Sequence, residues 1–225
     1  ILLLSFVPNF LKLEKLNINL KFQNILGYIF VPAILTISSF NTGWHYDAGF
    51  YHLNQQNWLR NSEMILGMVN IHWAFGMSSI AEYISAILWF DETFINLHYL
   101  NLMYIFSFYN ILVSDLYSRE LLIRNSSLML LIFSIFDNFG LNGGRNGFIY
   151  IQGVGKQDVG VAILFFFIAR TILLILNDKR FNKFEISILS LLTLFTVQIK
   201  LSSVFLVLLM VYFYWFYLRE SDNSF

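Results

Sequence analysis

The chain has 225 residues, of which 57% are hydrophobic and 19% aromatic, while only 12% are charged, about half the charged share of an ordinary soluble domain. Its 14 basic and 14 acidic side chains cancel, and it has no cysteine. These figures exclude an ordinary soluble globular domain, a basic field that would draw in nucleic acid, and disulfide, thiolate-metal or cysteine-nucleophile chemistry.

The first residues, Ile1-Leu2-Leu3-Leu4, follow no initiator Met or charged leader, so they read as the tail of a helix in a fragment of a longer chain. A membrane crossing needs about 20 mainly apolar residues. Five stretches fit: residues 24–40, 97–117, 126–139, 159–176 and 186–218. The last is too long for one crossing at about 1.5 Å per residue. With Lys200 near its middle, it predicts two helices joined by a tight turn at residues 198–203. The expected fold class is therefore all-α: a polytopic integral membrane helical bundle of six crossings plus the partial N-terminal helix, forming one transmembrane domain over residues 1–225.

Residues 64–90 differ, because Asn70, His72, Ser78, Ser79 and Glu82 interrupt the apolar pattern and Gly67 and Gly76 break it. They predict one or two helices lying along the membrane face, with Glu82, Asp91 and Glu92 on a wet face. Charge sorting supports this choice, since short cytoplasmic loops collect Lys and Arg. If the segment does not cross, Lys12, Lys15, Lys21, Arg119, Arg124, Lys179, Arg180, Lys183 and Arg219 fall on one side. Two outer loops, residues 41–96 and 137–158, then lie together on the other side, the one facing away from the cytoplasm. The bilayer is the first expected partner, and no nucleic-acid partner is expected.

The unusual residues lie in those loops. Trp44-His45-Tyr46-Asp47-Ala48-Gly49-Phe50-Tyr51-His52 places a carboxylate beside imidazoles and aromatic rings at the end of a membrane helix. Asp47 there is either a proton acceptor or cation ligand, or a solvated loop Asp among interfacial aromatics. The second loop, rich in glycine between Asp137 and Gly160, is either pliable or shaped around a ligand. Its Gly155-Lys156 lacks the spacing and hydroxyl of a phosphate loop. Asp158, at the start of a membrane helix, is either catalytic or a cap favoured by the helix dipole. His72 reads as a ligand, a phosphate donor or an interfacial ring. Lys200 either binds a phosphate or extends to the interface, as Arg170 is expected to do. His45, His52, His72 and His98 all map to the outer side with no opposed pair at mid-membrane, so no haem is expected.

Three stretches carry a resemblance: Tyr46-Asp47-Ala48-Gly49-Phe50-Tyr51-His52, then Asn57-Trp58-Leu59-Arg60, then Gly67-Met68-Val69-Asn70-Ile71-His72 through Phe75-Gly76-Met77-Ser78-Ser79. Together with the order of crossings and outer loops, over about residues 41–203, they resemble a bacterial group of membrane proteins related to the GT-C superfamily of polytopic glycosyltransferases. The chain has Trp73-Ala74 where the group usually has Gly-Arg, and Met77-Ser78 where it has Phe-Asn.

The resemblance implies transfer of a sugar from a polyprenyl-phosphate donor to a glycan, lipid or protein acceptor of the cell envelope, with inversion at the anomeric centre. Asp47 and Asp158 would be the catalytic carboxylates, with Asp47 the base. The two would also be the ligands of any divalent cation, Mg or Mn. Lys200 would offset donor phosphate charge, and Tyr51, His52, Asn70 and His72 would support the substrate. The rival reading is a non-catalytic membrane component of polysaccharide assembly or transport, or a subunit of a membrane complex.

Overall fold

The computed structural model describes residues 22–30, 32–34, 46–63, 66–76, 79–94, 96–138, 157–178 and 182–222. All regular elements among them are helical, apart from one isolated bridge between Phe90 and Thr93, so the fold is all-α. Helix α1 is Phe22–Ile25, running into a π-helical turn Leu26–Phe30. Helix α2, Leu53–Asn61, follows a π-helical turn Ala48–His52, and α3 is Ile80–Ile87. Five longer helices follow: α4 (Leu97–Asp115), α5 (Leu121–Asn138), α6 (Gln157–Asp178), α7 (Lys183–Ile199) and α8 (Phe205–Asp222).

Two helical stretches, Gln157–Asp178 and Leu201–Arg219, are long and apolar enough by length and composition to cross a membrane. The other long helices have 19, 18 and 17 residues. The long apolar run divides at Lys200: α7 ends at Ile199, Lys200 is extended, and a 3-10 turn Leu201–Val204 leads into α8. The described residues between 64 and 90 contain no helix of crossing length. Their described part is two 3-10 turns, Met68–Asn70 and Trp73–Gly76, and the eight residues of α3, which span only about 12 Å. Gly67, with φ of 83°, opens the first of these turns in a left-handed conformation that glycine adopts without strain.

The long helices pack α5 on α4, α4 on α6, α6 on α7 and α7 on α8, with the π-helical turn Leu26–Phe30 against α4. Their contact is made by Ile105, Phe108 and Leu112 of α4, Ile163 and Ile168 of α6, Leu192 of α7, and Leu206 and Phe213 of α8, all buried. At Gly160 the α6 backbone comes so close to α4 that a Cβ would sit 3.0 Å from the Tyr104 ring. Several polar side chains inside these helices return to their own backbone, as Thr196 does to the Leu192 carbonyl at 2.7 Å and Thr171 to Phe167 at 2.7 Å, while the buried Thr193 hydroxyl finds no partner among the described residues. The backbone bonds satisfy hydroxyls where no water is available.

One end of the bundle gathers the first residues of α4 and α6, the last of α7, and the short helices. Helix α2 packs on α3, and α3 packs on α7. Ser79 joins two helix ends: its Oγ accepts from the Ala81 N–H at 3.2 Å, capping α3, and donates to the Ile199 carbonyl at 2.7 Å. Ser203 Oγ donates to the Thr196 and Lys200 carbonyls at 2.9 and 2.7 Å. Two serines thus donate to carbonyls at and just beyond the C-terminus of α7. The opposite end carries Arg119, Arg124, Lys183 and Arg219 in the α4–α5 connection and at helix ends.

Candidate functional site

Glu82 lies in the first turn of α3 and is only 3% exposed. On this helix the small residues Ala81, Ser85 and Ala86 face inward with Glu82, while Tyr83 and Ile87 face outward at 45% and 81% exposure. The carboxylate is held from two directions. From the α2 side, His52 Nδ1 lies 2.5 Å from Oε1 and Gln56 Nε2 donates to Oε2 at 2.8 Å; from α6, Gln157 Nε2 donates to Oε1 at 2.7 Å. With Glu82 ionised the carboxylate only accepts, and His52 Nδ1 is then the donor of this short contact. Gln56 is itself fixed, because Trp89 Nε1 donates to its Oε1 at 2.9 Å.

The expectation that Glu82 stands on a wet face is corrected here. Asp91 and Glu92 are exposed as expected, whereas Glu82 points inward. A buried charge survives only with compensating donors, and three N–H groups supply them without a Lys or Arg pairing to it among the described residues. The spacing Ser79-Ile80-Ala81-Glu82 matches a helix capping box, which is the signal that marks this position. The structure uses Ser79 as the cap and turns Glu82 to His52, Gln56 and Gln157 instead.

Of the residues singled out from the sequence, His52 contacts this carboxylate and Tyr51 feels its charge. Asp47 precedes the π-helical turn and accepts a hydrogen bond from the Tyr51 hydroxyl. The Tyr51 phenol is pushed up to about 12, first by burial, then by the Asp47 carboxylate and after it by that of Glu82. Tyr51 therefore lies within the fields of both acids. Its ring centroid is 4.1 Å from that of the buried His52 and 6.0 Å from that of His72, which it stacks on. His72 is half-buried among Phe50, Tyr51, Trp73 and Phe75. Its Nδ1 accepts from the Ala74 N–H at 3.2 Å, so a neutral His72 carries its proton on Nε2. Asn70 stands exposed at the end of the first 3-10 turn.

On the other side of Glu82, Gln157 begins α6, and its neighbour Asp158 forms an ion pair with Lys200. Asp158 lies inside the first helical turn, where the dipole favours a carboxylate, and both partners are substantially exposed. The structure thus links Asp47 to Tyr51, His52 to Glu82, Glu82 to Gln157 and Asp158 to Lys200 at one end of the bundle. Gln56, Glu82, Trp89 and Gln157 are the members that sequence reasoning passed over. His45, Arg145, Lys156 and the glycine-rich stretch between helices α5 and α6 lie outside the described residues. His98 is the second residue of α4.

Arg170 differs from expectation. Instead of extending toward an interface, it holds Asp115 at the end of α4 with two hydrogen bonds, one from Nε at 2.7 Å and one from Nη2. Ser127 of α5 donates to the same carboxylate at 3.3 Å. Asp115 and Ser127 are buried. Arg170 lies about 20 Å along α6 from Gln157, so this ion pair belongs to the other half of the bundle.

Among the described residues, no group of three His, Cys, Asp or Glu side chains is placed to hold a metal ion. Lys200 already gives Asp158 its counter-charge.

The class so defined is an all-α chain with two helices able to cross a membrane and a buried polar cluster at one end of the bundle. A family model described as a domain of unknown function, DUF8201, matches residues 3–225, and the chain belongs to that family. No curated protein and no solved structure matches it.

Proposed function

We propose that this chain is part of a polytopic membrane glycosyltransferase of the GT-C type. In this reading it transfers a sugar from a polyprenyl-phosphate donor to an acceptor outside the cytoplasm, during modification of envelope glycan or lipid. The observation that carries the reading is the gathering of Asp47, Tyr51, His52, Glu82, Asp158 and Lys200 at one end of an otherwise apolar helical bundle. The basic residues at the other end, Arg119, Arg124, Lys183 and Arg219, favour a cytoplasmic side there and an outward-facing site.

The acceptor hydroxyl oxygen attacks the anomeric carbon, and its proton passes to the Asp47 carboxylate. The bond from that carbon to the phosphate oxygen breaks, so the phosphate leaves with the electron pair. Tyr51 orients Asp47 by its hydrogen bond. Lys200 turns from Asp158 toward the leaving phosphate and offsets its charge. The buried His52–Glu82 pair and Gln157 keep the walls of the site in register. Positive charge comes from Lys200 in this scheme, and no step passes through a metal ion.

The test uses membranes expressing the full-length gene with a radiolabelled prenyl-phosphate sugar. Asp47→Asn is expected to lower transfer by about 100-fold or more, the usual scale for loss of a general base, and Asp158→Asn by a smaller factor. Undiminished transfer in both variants at equal expression overturns the reading and leaves the non-catalytic membrane component in its place.

A further inference from the structure

Tyr83, Ala86 and Ile87 of α3 form one wall of a cavity beside the polar cluster. It has a volume of about 400 Å³ and is lined by Leu59, Arg60, Tyr83, Ala86, Ile87 and Trp89. Its one charged wall residue is Arg60, which is held from two sides. The guanidinium carbon lies 5.1 Å from the centroid of the Trp89 ring, and Nη1 donates to the Asp91 carbonyl at 2.9 Å. Asp91 has φ of 48°, a left-handed conformation unusual for a residue with a side chain. The turn is closed by paired backbone bonds between Phe90 and Thr93 at 2.9 and 2.8 Å. A strained turn and an indole plate thus fix a cation that would otherwise move freely on a long side chain. The rest of the wall is apolar and open, with Ile87 81% exposed and Phe90 beside it 69% exposed.

A planar, pre-positioned guanidinium beside an open apolar wall matches one ligand chemistry: a phosphate carried on a hydrocarbon chain. Glu63, Asp91 and Glu92 are exposed nearby in the chain. Their repulsion, screened over about 10 Å at 0.1 M salt, bears harder on a doubly charged phosphomonoester than on a singly charged phosphodiester. We infer that this cavity binds the headgroup of an anionic phosphodiester phospholipid of the bilayer, with the phosphate on Arg60 and an acyl chain over Tyr83 and Ile87. The inference stands independently of sugar transfer. It gives the short helices an anchor in the membrane face.

The experiment titrates the full chain, purified in dodecyl maltoside, with dioctanoyl phosphatidylglycerol while tryptophan fluorescence is read. A saturable change is expected, lost in Trp89→Phe and weakened about tenfold in Arg60→Gln, the worth of one charge-assisted bond. Dioctanoyl phosphatidylcholine, dioctanoyl phosphatidic acid and inorganic phosphate should each bind more weakly than phosphatidylglycerol. Lys200→Gln should leave the affinity unchanged, which separates this cavity from the polar site. Helical circular dichroism checks each variant, and if Trp89→Phe does not fold, the Arg60→Gln comparison decides alone. Equal affinity in wild type and Arg60→Gln overturns the inference. So does equal binding of phosphatidylcholine or free phosphate, or a loss of affinity in Lys200→Gln.

Discussion

Gln157 and Glu82, 75 residues apart in sequence, meet at 2.7 Å through the Gln157 side-chain amide and the Glu82 carboxylate. This bond ties the start of α6 to the short helix α3, and it places Asp158 and Lys200 next to a buried acid that also holds His52 and Gln56. The polar end of the bundle is therefore one connected structure, built around a carboxylate that accepts from three N–H groups.

Replacing Glu82 tests that connection. Glu82→Gln keeps the shape but sets an amide N–H against donors, leaving at least one buried group unsatisfied at a cost of about 1–2 kcal/mol. For a chain of this size that lowers Tm by about 2–8 °C, measurable by thermal unfolding in detergent. A Tm equal to that of the wild type would show that the cluster does not bear on stability.

Tyr51 offers a pH test. Its phenol is raised from 10.0 to about 12, by burial first and then by Asp47 and Glu82. Folding therefore favours the neutral phenol, and the stability this gives is complete below about pH 10 and is lost as pH rises through about 12. Solvent screening at this half-buried ring keeps the effect small. The phenolate absorbance difference between wild type and Tyr51→Phe should titrate near pH 12, and Asp47→Asn should move that midpoint down. A midpoint near 10 in the wild type would contradict the geometry.

The Arg170–Asp115 pair is open to a double-mutant cycle. Asp115→Ala leaves a guanidinium inside the bundle without its carboxylate and should cost about 3–5 kcal/mol. Combining Asp115→Leu with Arg170→Leu removes both charges and should recover most of that loss, since apolar replacements of buried pairs are often close to neutral. Denaturant unfolding of Asp115→Leu, Arg170→Leu and the double variant in micelles measures the cycle. Additive losses would mean that the two side chains do not act on one another.

Much of the helical order was legible in the chain. The apolar runs at 97–117, 159–176 and 186–218 reappear as Leu97–Asp115, Gln157–Asp178 and the pair divided at Lys200, because long apolar stretches bounded by polar residues leave few alternatives to helix. Asp47, Tyr51, His52, Asp158 and Lys200 stood out for a similar reason: polar groups are scarce at the ends of such helices. What they touch was not legible. Glu82 reads as a residue on the wet face of a surface helix, yet Tyr83 and Ile87 are the exposed ones and Ala81, Ser85 and Ala86 face inward with it.

Composition and period by themselves determined that the chain is helical, that its charges are sorted toward helix ends, and where its chain breaks fall. Only the tertiary structure decided which face of α3 turns inward, that Arg170 finds Asp115, and that Asp158 finds Lys200. Helix formation follows from local spacing of apolar residues along the chain. The pairing of a buried charge depends on donors brought from distant segments, such as Gln157 to Glu82, and no local pattern records their arrival.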